Sequence, residues 1–312
     1  MLKSKILSAK TINISLFCLL TISWSFTWFV AKYLVTGTFI MPEILAGYRF
    51  LIAGFVLFFT AKFFKLKFKP SKHEVKVFII AAMFGCSINL FLFYYAAYYL
   101  ISGFSSVIFS MIIILNLVIG LFFGIRQINY IKIIVLALLG MLGLVCIIAS
   151  HSGLNGLFSV NILKGFILGF LATVCFSISS TYYQTRENIN LHPVVSFAYM
   201  CIFGFVWCVI YALLHSTFSD AKLTFAIPLT LPFVLAFLYL AVFGTAVGYL
   251  CSFTLVRRIG AVKTGYSSLI VPIASMSVSL VWEHYNLTVW TFIGLALILV
   301  SELFALNDKK LK

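Results

Sequence analysis

Charged residues are scarce in this sequence. Only 9% of the 312 residues are charged, and only seven of these are acidic. Soluble domains have about a quarter charged and about half apolar residues, whereas this chain is 63% apolar and has a mean hydropathy of +1.15. The scarcity excludes an ordinary soluble globule and predicts an integral membrane protein.

Other absences exclude several classes of function. All seven cysteines fall inside apolar stretches, which argues against a disulfide framework or a zinc site, and the five histidines show no metal-ligand spacing. There is no GxxxxGK[ST] sequence and no room for a nucleotide-binding domain, which disfavours ATP-driven transport. The basic residues cluster in short loops beside apolar stretches, as in membrane topology. We therefore predict no cofactor, no metal and no nucleic-acid partner.

The apolar stretches predict ten membrane-spanning helices. They are continuous rather than alternating, which indicates helices and not barrel strands, and about 20 residues suffice to cross a bilayer. The first stretch follows basic residues as a signal peptide would, but it is long and lacks a convincing cleavage site, so we interpret it as a retained span. The predicted spans are 12–31, 43–61, 75–99, 103–124, 131–149, 162–184, 194–214, 231–256, 263–282 and 287–306.

The distribution of Lys and Arg predicts that both termini are cytoplasmic. With ten spans, 18 of the 22 basic residues fall on the side of the termini, three fall on the other side, and Arg49 lies within a span. Short loops rich in Lys and Arg stay in the cytoplasm. A nine- or eleven-span arrangement would break this alternation. We predict a multi-pass protein of the bacterial inner membrane.

The two halves of the chain share one plan. Residues 243–272 form an apolar helix, a basic turn and a second apolar helix interrupted by Pro272, and a similar pattern begins 159 positions earlier at Phe84. We assign residues 1–150 and 151–312 as two five-helix repeats. Five is an odd number, so the second repeat enters the membrane in the opposite sense. Inverted repeats of this kind recur in secondary transporters.

Three motifs carry a family resemblance. They are the Ser23-Trp24-Ser25-Phe26 segment with the later Lys32, the stretch from Pro42 to Arg49-Phe50, and the stretch from Gly244 to Ala261 followed by Pro272. In this order they resemble the EamA-type ten-helix members of the drug/metabolite transporter superfamily, over about residues 12–306. Family members often carry Gly-Glu after the fourth and ninth helices, where this chain has Gly124-Ile125-Arg126 and Trp282-Glu283-His284-Tyr285.

The resemblance and the duplication together predict a carrier that works by alternating access, secondary-active or facilitative, and not an enzyme. We expect a small metabolite as substrate, with amino acids or related compounds favoured. The alternatives are an exporter of drugs or other amphipathic compounds, and an uptake or exchange carrier for a nucleotide-like metabolite. A polytopic membrane enzyme is the alternative outside transport. The expected partners are the substrate and the lipid bilayer, and the protein is expected to be a monomer or a homodimer.

Polar residues inside apolar spans are costly unless they are satisfied, so each is a candidate site residue. Arg49 could anchor an anionic substrate group or a gate, or it could hold helix ends in place. Asn89 and Asn116 could donate to a substrate or bond to a neighbouring helix. Pro272 either frees a carbonyl for a ligand or makes an ordinary kink. The predicted substrate-binding set is Trp24, Ser25, Arg49, Asn89, Asn116, Ser177, Thr245, Tyr249, Ser267, Ser268 and Pro272.

No acidic residue lies centrally in a predicted span. Proton-coupled carriers commonly use a buried carboxylate or histidine that changes its protonation between states. The sequence therefore predicts facilitated transport or exchange, or coupling through Glu43 or Glu283 at the outer mouth. Four tyrosines near the end of the third span, at 94, 95, 98 and 99, are predicted to belong to the interfacial aromatic belt.

Overall fold

The structure, a computed structural model, describes residues 9–125, 130–156, 160–219, 223–283 and 288–306. The basic residues at 3, 5, 126, 222, 309, 310 and 312, on which part of the orientation prediction depends, and residues 284 and 285 lie outside these ranges. Within them the regular elements are helices. In chain order they form α1 (Ala9–Thr36), α2 (Pro42–Phe63), α3 (Lys72–Ala97), α4 (Ser102–Phe122), α5 (Tyr130–Gly156), α6 (Val160–Thr185), α7 (Pro193–Phe218), α8 (Leu231–Ile259), α9 (Ala261–Trp282) and α10 (Val289–Leu306).

Eight helices, α1–α4 and α6–α9, are long and apolar enough to cross a membrane. The described parts of α5 and α10 contain shorter apolar stretches, Ile134–Ile147 and Val289–Ser301. The chain is therefore an all-helical, multi-pass membrane protein. The count of ten crossings, the inverted halves and the cytoplasmic termini stay predictions.

Five helices are interrupted in the described part of the chain: α1 at Phe26, and the third and fourth helices of each half. Met83–Ile88 in α3 and Leu240–Val247 in α8 form π-helical turns. The helix that follows each of them is also broken, α4 at Met111 and α9 around Gly265. A π-helical turn widens the helix locally and is frequent at functional sites. These irregularities therefore mark the helices where a site is expected.

The predicted interruption of α9 at Pro272 is wrong. The helix runs through this proline from Ser267 to Trp282, and the break lies one to two turns earlier. There the Ser268 amide donates to the Gly265 carbonyl at 2.8 Å and the Leu269 amide to the Tyr266 carbonyl at 3.1 Å. A proline ring crowds the carbonyl four residues before it, here that of Ser268. The helix nevertheless continues through Pro272 to Trp282.

Helices of the two halves pack mainly against each other. The principal pairs across the halves are α1–α8, α2–α7, α3–α6, α4–α9 and α5–α10. If each helix is replaced by the helix at the same place in the other half, α1–α8 becomes α6–α3, and the other pairs also become pairs of the same set. Such a set is what two copies of one five-helix unit produce when they interlock rather than stand side by side.

Polar contacts tie the helices together at each end of the bundle. At one end, named here the Arg257 end, Arg257 donates to the carbonyls of Tyr183 and Arg186. At the same end the Glu74 carboxylate caps α3 and accepts from the amides of Asn190 and Leu191, at 2.8 and 3.1 Å. The opposite end, where α3 stops and α4 starts, is named the Glu283 end.

Helices α5 and α10 approach so closely that glycine is required at the contact. A Cβ atom added to Gly143 would lie 2.7 Å from the Gly294 carbonyl oxygen, which is a backbone atom and cannot move away cheaply. One turn earlier on α5, a Cβ on Gly140 would lie 2.9 Å from Met111 Sδ, part of a flexible side chain. The two glycines therefore tolerate alanine differently.

We expect Gly143→Ala to lower the melting temperature of the detergent-solubilised protein more than Gly140→Ala does. Both changes add the same methyl group and gain the same helix propensity, about 1 kcal/mol. Only the first forces two backbones apart. Thermal unfolding of the two variants and the parent measures the difference, and equal melting temperatures for the two variants would show that the backbone contact is not tight.

Candidate substrate cavity

A cavity opens between the helices toward the Glu283 end, and it is named here the Arg49 cavity. The space between its walls is about 580 Å³, part of it continuous with the solvent. Helices α1, α2, α3, α4, α6 and α8 contribute to its walls, so both halves of the chain build it. The rings that line it are Trp24, Trp28, Phe93, Tyr94, Phe109, Phe176 and Tyr249, and the other polar lining residues are Thr27, Lys32, Arg49, Asn89, Ser102 and Ser105.

Arg49 is a buried positive charge held by neutral groups. The side chain is 1% exposed. Its Nε donates to Thr245 Oγ1, and its Nη1 donates to the Tyr94 hydroxyl at 3.2 Å. No carboxylate pairs with it in the described part of the chain. Its Nη2 has no acceptor among the described residues.

The π-helical turn of α8 shapes the wall around Arg49. Within this turn Thr245 Oγ1 donates to the carbonyl of Leu240, five residues back, at 3.0 Å, and so is fixed to accept from Arg49. Gly244 and Gly248 leave a shallow groove on the same face. A Cβ on Gly244 would lie 2.9 Å from Arg49 Nη2, and one on Gly248 would lie 2.8 Å from Trp24 Cδ1. The small residues thus make room for a guanidinium and an indole.

Three buried polar atoms of the Arg49 cavity lack a hydrogen-bond partner among the described residues. They are Trp28 Nε1, Arg49 Nη2 and Ser105 Oγ. Buried polar groups in native proteins are almost always satisfied, by protein, water or ligand. Three such atoms on residues that line one cavity therefore indicate that water or a ligand group completes the structure there.

A second, smaller cavity of about 250 Å³ lies toward the Arg257 end and is named the Asn116 cavity. Trp24, Phe109 and Phe176 line both cavities. Their ring centroids are 5.4 Å apart for Trp24–Phe109, 5.9 Å for Trp24–Phe176 and 5.4 Å for Phe109–Phe176. These three mutually touching rings, called the aromatic wall below, separate the two cavities.

The two asparagines bond across to other helices. Asn89 Nδ2 donates to the Ala172 carbonyl at 2.9 Å, and its Oδ1 accepts from the Tyr249 hydroxyl at 3.2 Å. Asn116 Nδ2 donates to the Ala261 carbonyl at 3.0 Å, and its Oδ1 accepts from Ser177 at 2.6 Å. Both side chains line a cavity, so each could also meet a ligand if these bonds rearranged.

Both candidate coupling carboxylates lie at the Glu283 end, and neither lines the Arg49 cavity or the Asn116 cavity. Glu43 accepts from the Tyr95 hydroxyl at 3.0 Å and lies 3.2 Å from His215 Nδ1. Glu283 lies 2.9 Å from Lys32 Nζ and accepts from the Ser102 hydroxyl at 2.5 Å. Each carboxylate connects helices of the first half to a helix of the second half.

The structure distributes the predicted site residues over several places. Trp24, Arg49, Asn89 and Tyr249 line the Arg49 cavity, and Thr245 positions Arg49. Asn116, Ser267 and Trp24 line the Asn116 cavity, where Ser177 supports Asn116. Ser25 and Ser268 donate to the backbone of their own helices, at 2.8 and 2.6 Å. Pro272 is buried in α9, and these three residues line neither cavity.

Sequence reasoning missed Trp28, Tyr94 and Ser105 as cavity residues. Trp28 follows Trp24 by four positions and therefore lies on the same helix face, which was an available signal. Tyr94 is 1% exposed and bonds to Arg49, so its assignment to the interfacial belt is wrong. Tyr95 is half-buried and donates to Glu43 at the Glu283 end, so its assignment stays a prediction. Tyr98 and Tyr99 are exposed, as that assignment requires. Tyr94 and Tyr95 lie within α3, whereas Tyr98 and Tyr99 follow its last residue, Ala97, and two tyrosine pairs separated by two alanines do not reveal this difference in depth.

These features define a class: a polytopic helical membrane protein with an aromatic-lined cavity inside its bundle and a buried arginine in the cavity wall. The chain matches the EamA-like transporter family over residues 11–149 and 163–306, and it belongs to that family. It is 28% identical to the uncharacterized transporter YvbV of Bacillus subtilis (strain 168) over 299 residues, which cover 94% of this chain and 90% of that protein. An uncharacterized transporter of Buchnera aphidicola subsp. Schizaphis graminum (strain Sg) is 34% identical over 125 residues, 39% of this chain and 40% of that one.

A solved crystal structure shares the fold with a TM-score of 0.67 at 17% sequence identity, covering 98% of this chain and all of the other. At that identity the likeness concerns the fold alone. Together the family and the transporter-named relatives support a membrane transporter.

The ion pair of Glu283 yields a prediction about pH. Burial raises the pKa of Glu283, but hydrogen bonds from Ser102, Ser279 and Lys32, together with the Lys32 charge, lower it more, so the pKa lies below its usual range. A lowered pKa contributes stability that is complete above the unfolded value of about 4.3 and is lost as pH falls through the folded value.

We therefore expect Glu283→Gln to lower the melting temperature above about pH 5, and the difference from the parent to shrink below about pH 4. Thermal unfolding of the solubilised protein across this range tests it. Glu187→Gln, a change of an exposed carboxylate at the Arg257 end, is the control. A difference that is constant with pH would mean that ionised Glu283 contributes nothing.

Proposed function

We propose that the protein is a carrier of small metabolites that works by alternating access, with the Arg49 cavity as its substrate site. The observation that carries this proposal is the pair of cavities that share one aromatic wall. Each cavity lies toward a different end of the bundle, and only side chains separate them. A substrate bound in one cavity would reach the other when the rings of Trp24, Phe109 and Phe176 move apart.

Inverted five-helix halves would supply the motion. The interlocked helix pairs and the matching π-helical turns of α3 and α8 support two copies of one unit, at residues 1–150 and 151–312. The excess of Lys and Arg in the loops supports cytoplasmic termini. With that orientation the Arg49 cavity faces the outside, and the Asn116 cavity faces the cytoplasm. The proposed location is the bacterial inner membrane, as a monomer or a homodimer.

Amino acids or related compounds remain the favoured substrates within this proposal. They carry a carboxylate that Arg49 can bind, and many carry an apolar side chain that suits the rings. A nucleotide-like substrate is less favoured because phosphates are bound by several cations, and Lys32 is already paired with Glu283. An amphipathic drug fits the rings but leaves Arg49 without a role. An enzyme is less favoured because the described lining of the Arg49 cavity contains no histidine or carboxylate.

Transport itself is tested in proteoliposomes. We expect radiolabelled phenylalanine or a related carboxylate to accumulate by counterflow in vesicles preloaded with the unlabelled compound, but not in vesicles without protein. Phe176→Ala, which opens the aromatic wall, should reduce the dependence on preloading because both cavities then communicate. Val206→Ala, an exposed position on α7, is the control. No counterflow with any member of a broad metabolite panel would contradict the carrier function.

The coupling proposal has a separate test. If either carboxylate couples transport to protons, an imposed pH gradient should accelerate uptake by the parent protein. This acceleration should be lost in Glu43→Gln or in Glu283→Gln. Acceleration that survives both changes would exclude both carboxylates. If the pH gradient does not change the rate of uptake by the parent protein, facilitated transport or exchange is favoured.

A further inference from the structure

We infer that the Arg49 cavity recognises an organic anion: a carboxylate bound at Arg49, with an apolar body against the rings and no free ammonium group. This inference rests on the proposed carrier function and narrows its substrate class. Among related compounds it favours acids and N-acylated amino acids over free amino acids.

The charge balance of the cavity carries the first step. Its described lining includes two cationic side chains, Lys32 and Arg49, and no carboxylate. Lys32 already has a counter-ion in Glu283, 2.9 Å away. Among the described residues, Arg49 has only hydroxyl partners, from Thr245 and Tyr94. A guanidinium is always charged in proteins, and in a low-dielectric site its charge is best balanced by an anion. The ligand supplies the missing negative charge.

The unpartnered atoms carry the second step. Arg49 Nη2 and Trp28 Nε1 can only donate hydrogen bonds, and Ser105 Oγ can donate as well as accept. A carboxylate can only accept, with about four lone-pair positions on two oxygens, so it complements donors of this kind. Arginine and a carboxylate also form the stronger, charge-assisted type of hydrogen bond. The polar atoms that lack a partner on these lining residues are hydrogen-bond donors, which is what a carboxylate requires.

An ammonium group finds no comparable partner. It can only donate, and it needs acceptors, preferably a carboxylate. The amide oxygen of Asn89 is already bonded to Tyr249, and Glu43 is buried against Tyr95 and His215 outside the cavity. The ring faces could attract a cation, but Arg49 in the same cavity repels it. A ligand with a free ammonium group is therefore disfavoured.

Four compounds with one phenyl body separate these possibilities. They are 3-phenylpropanoate (an anion), N-acetylphenylalanine (an anion without ammonium), phenylalanine (a zwitterion) and phenethylamine (a cation). Binding to the purified full-length protein is measured by tryptophan fluorescence, because Trp24 and Trp28 line the cavity. We expect both anions to bind at least tenfold more tightly than phenylalanine, and phenethylamine to bind most weakly.

Variants test which atoms are responsible. Arg49→Gln should weaken anion binding by tenfold or more, and Arg49→Lys, which keeps the charge but not the planar fork, by less. Arg49 also holds Thr245 and Tyr94, so its variants could fail to fold. Ser105→Ala avoids this difficulty because it removes an oxygen that has no hydrogen-bond partner among the described residues. Trp28→Phe removes the unpartnered Nε1 but also ring atoms that pack on Phe93 and Phe109, so its melting temperature is measured beside its affinity. We expect each to weaken anion binding by about threefold to tenfold, and Ser105→Ala to do so without lowering the melting temperature. Arg258→Gln, an exposed charge at the Arg257 end, is the control.

Phenylalanine or phenethylamine binding as tightly as the anions would overturn the inference. So would anion binding of unchanged strength in Trp28→Phe and Ser105→Ala. Uptake of the same four compounds by proteoliposomes separates the inference from the carrier function. Anion binding that depends on these side chains, without uptake, would leave the site standing and remove the carrier function. Uptake of phenylalanine or phenethylamine with exclusion of the anions would leave the carrier standing and remove the inference.

Discussion

A buried arginine without a carboxylate partner is the constraint around which this bundle is arranged. An arginine at the centre of a membrane helix costs about 2.5–3.5 kcal/mol on insertion scales. Hydrogen bonds to a charged group contribute about 1.5–3 kcal/mol each, so the two from Thr245 and Tyr94 can offset that cost. They require α2, α3 and α8 to meet at one point with their hydroxyls correctly aimed. A free Nη2 remains, and it faces the place where Gly244 has no side chain.

The irregular backbone of α8 makes this meeting possible. In a regular α-helix a threonine hydroxyl can reach the carbonyl three or four residues back, but Thr245 reaches the carbonyl of Leu240, five residues back. The wider π-helical turn thus aims Thr245 at Arg49. The same turn exposes the carbonyl of Gly244, which accepts from Trp24 Nε1 at 3.2 Å. One local departure from helical geometry therefore positions both the charge and one ring of the aromatic wall.

The sequence predicted the helical membrane class and several of the residues that line the cavities, because both follow from hydropathy. A polar side chain in an apolar helix stands out, and that is how Arg49, Asn89 and Asn116 could be named. Ser25 and Ser268 were named by the same logic; their hydroxyls donate within their own helices here, and their role in substrate binding stays a prediction. Hydroxyl groups have this local solution available, whereas a guanidinium or an amide in a helix does not, so the longer polar groups are the better signal.

The sequence did not predict properties that depend on how deep a residue lies in the bundle or on which residues of other helices lie beside it. Tyr94 and Tyr98 are four residues apart. The first lies within α3 and is buried against Arg49, whereas the second follows the end of α3 and is exposed. Depth along α3 and the position of Arg49 on α2 decide between them, and neither is local information. Pro272 is a similar case: α9 continues through it, and the break lies at Gly265 and Tyr266, where the sequence pattern gave no sign of it.

Helices α5 and α10 contribute no described side chain to either cavity, and glycine backbones hold them to each other. The residues that line the cavities and the residues that hold α5 to α10 therefore belong to different helices. Libraries that aim at altered specificity can vary α1, α3, α4, α6 and α8 while leaving this pair unchanged. Conversely, a fluorophore or surface tether on the lipid-facing side of α5 would report on the molecule without touching the ligand.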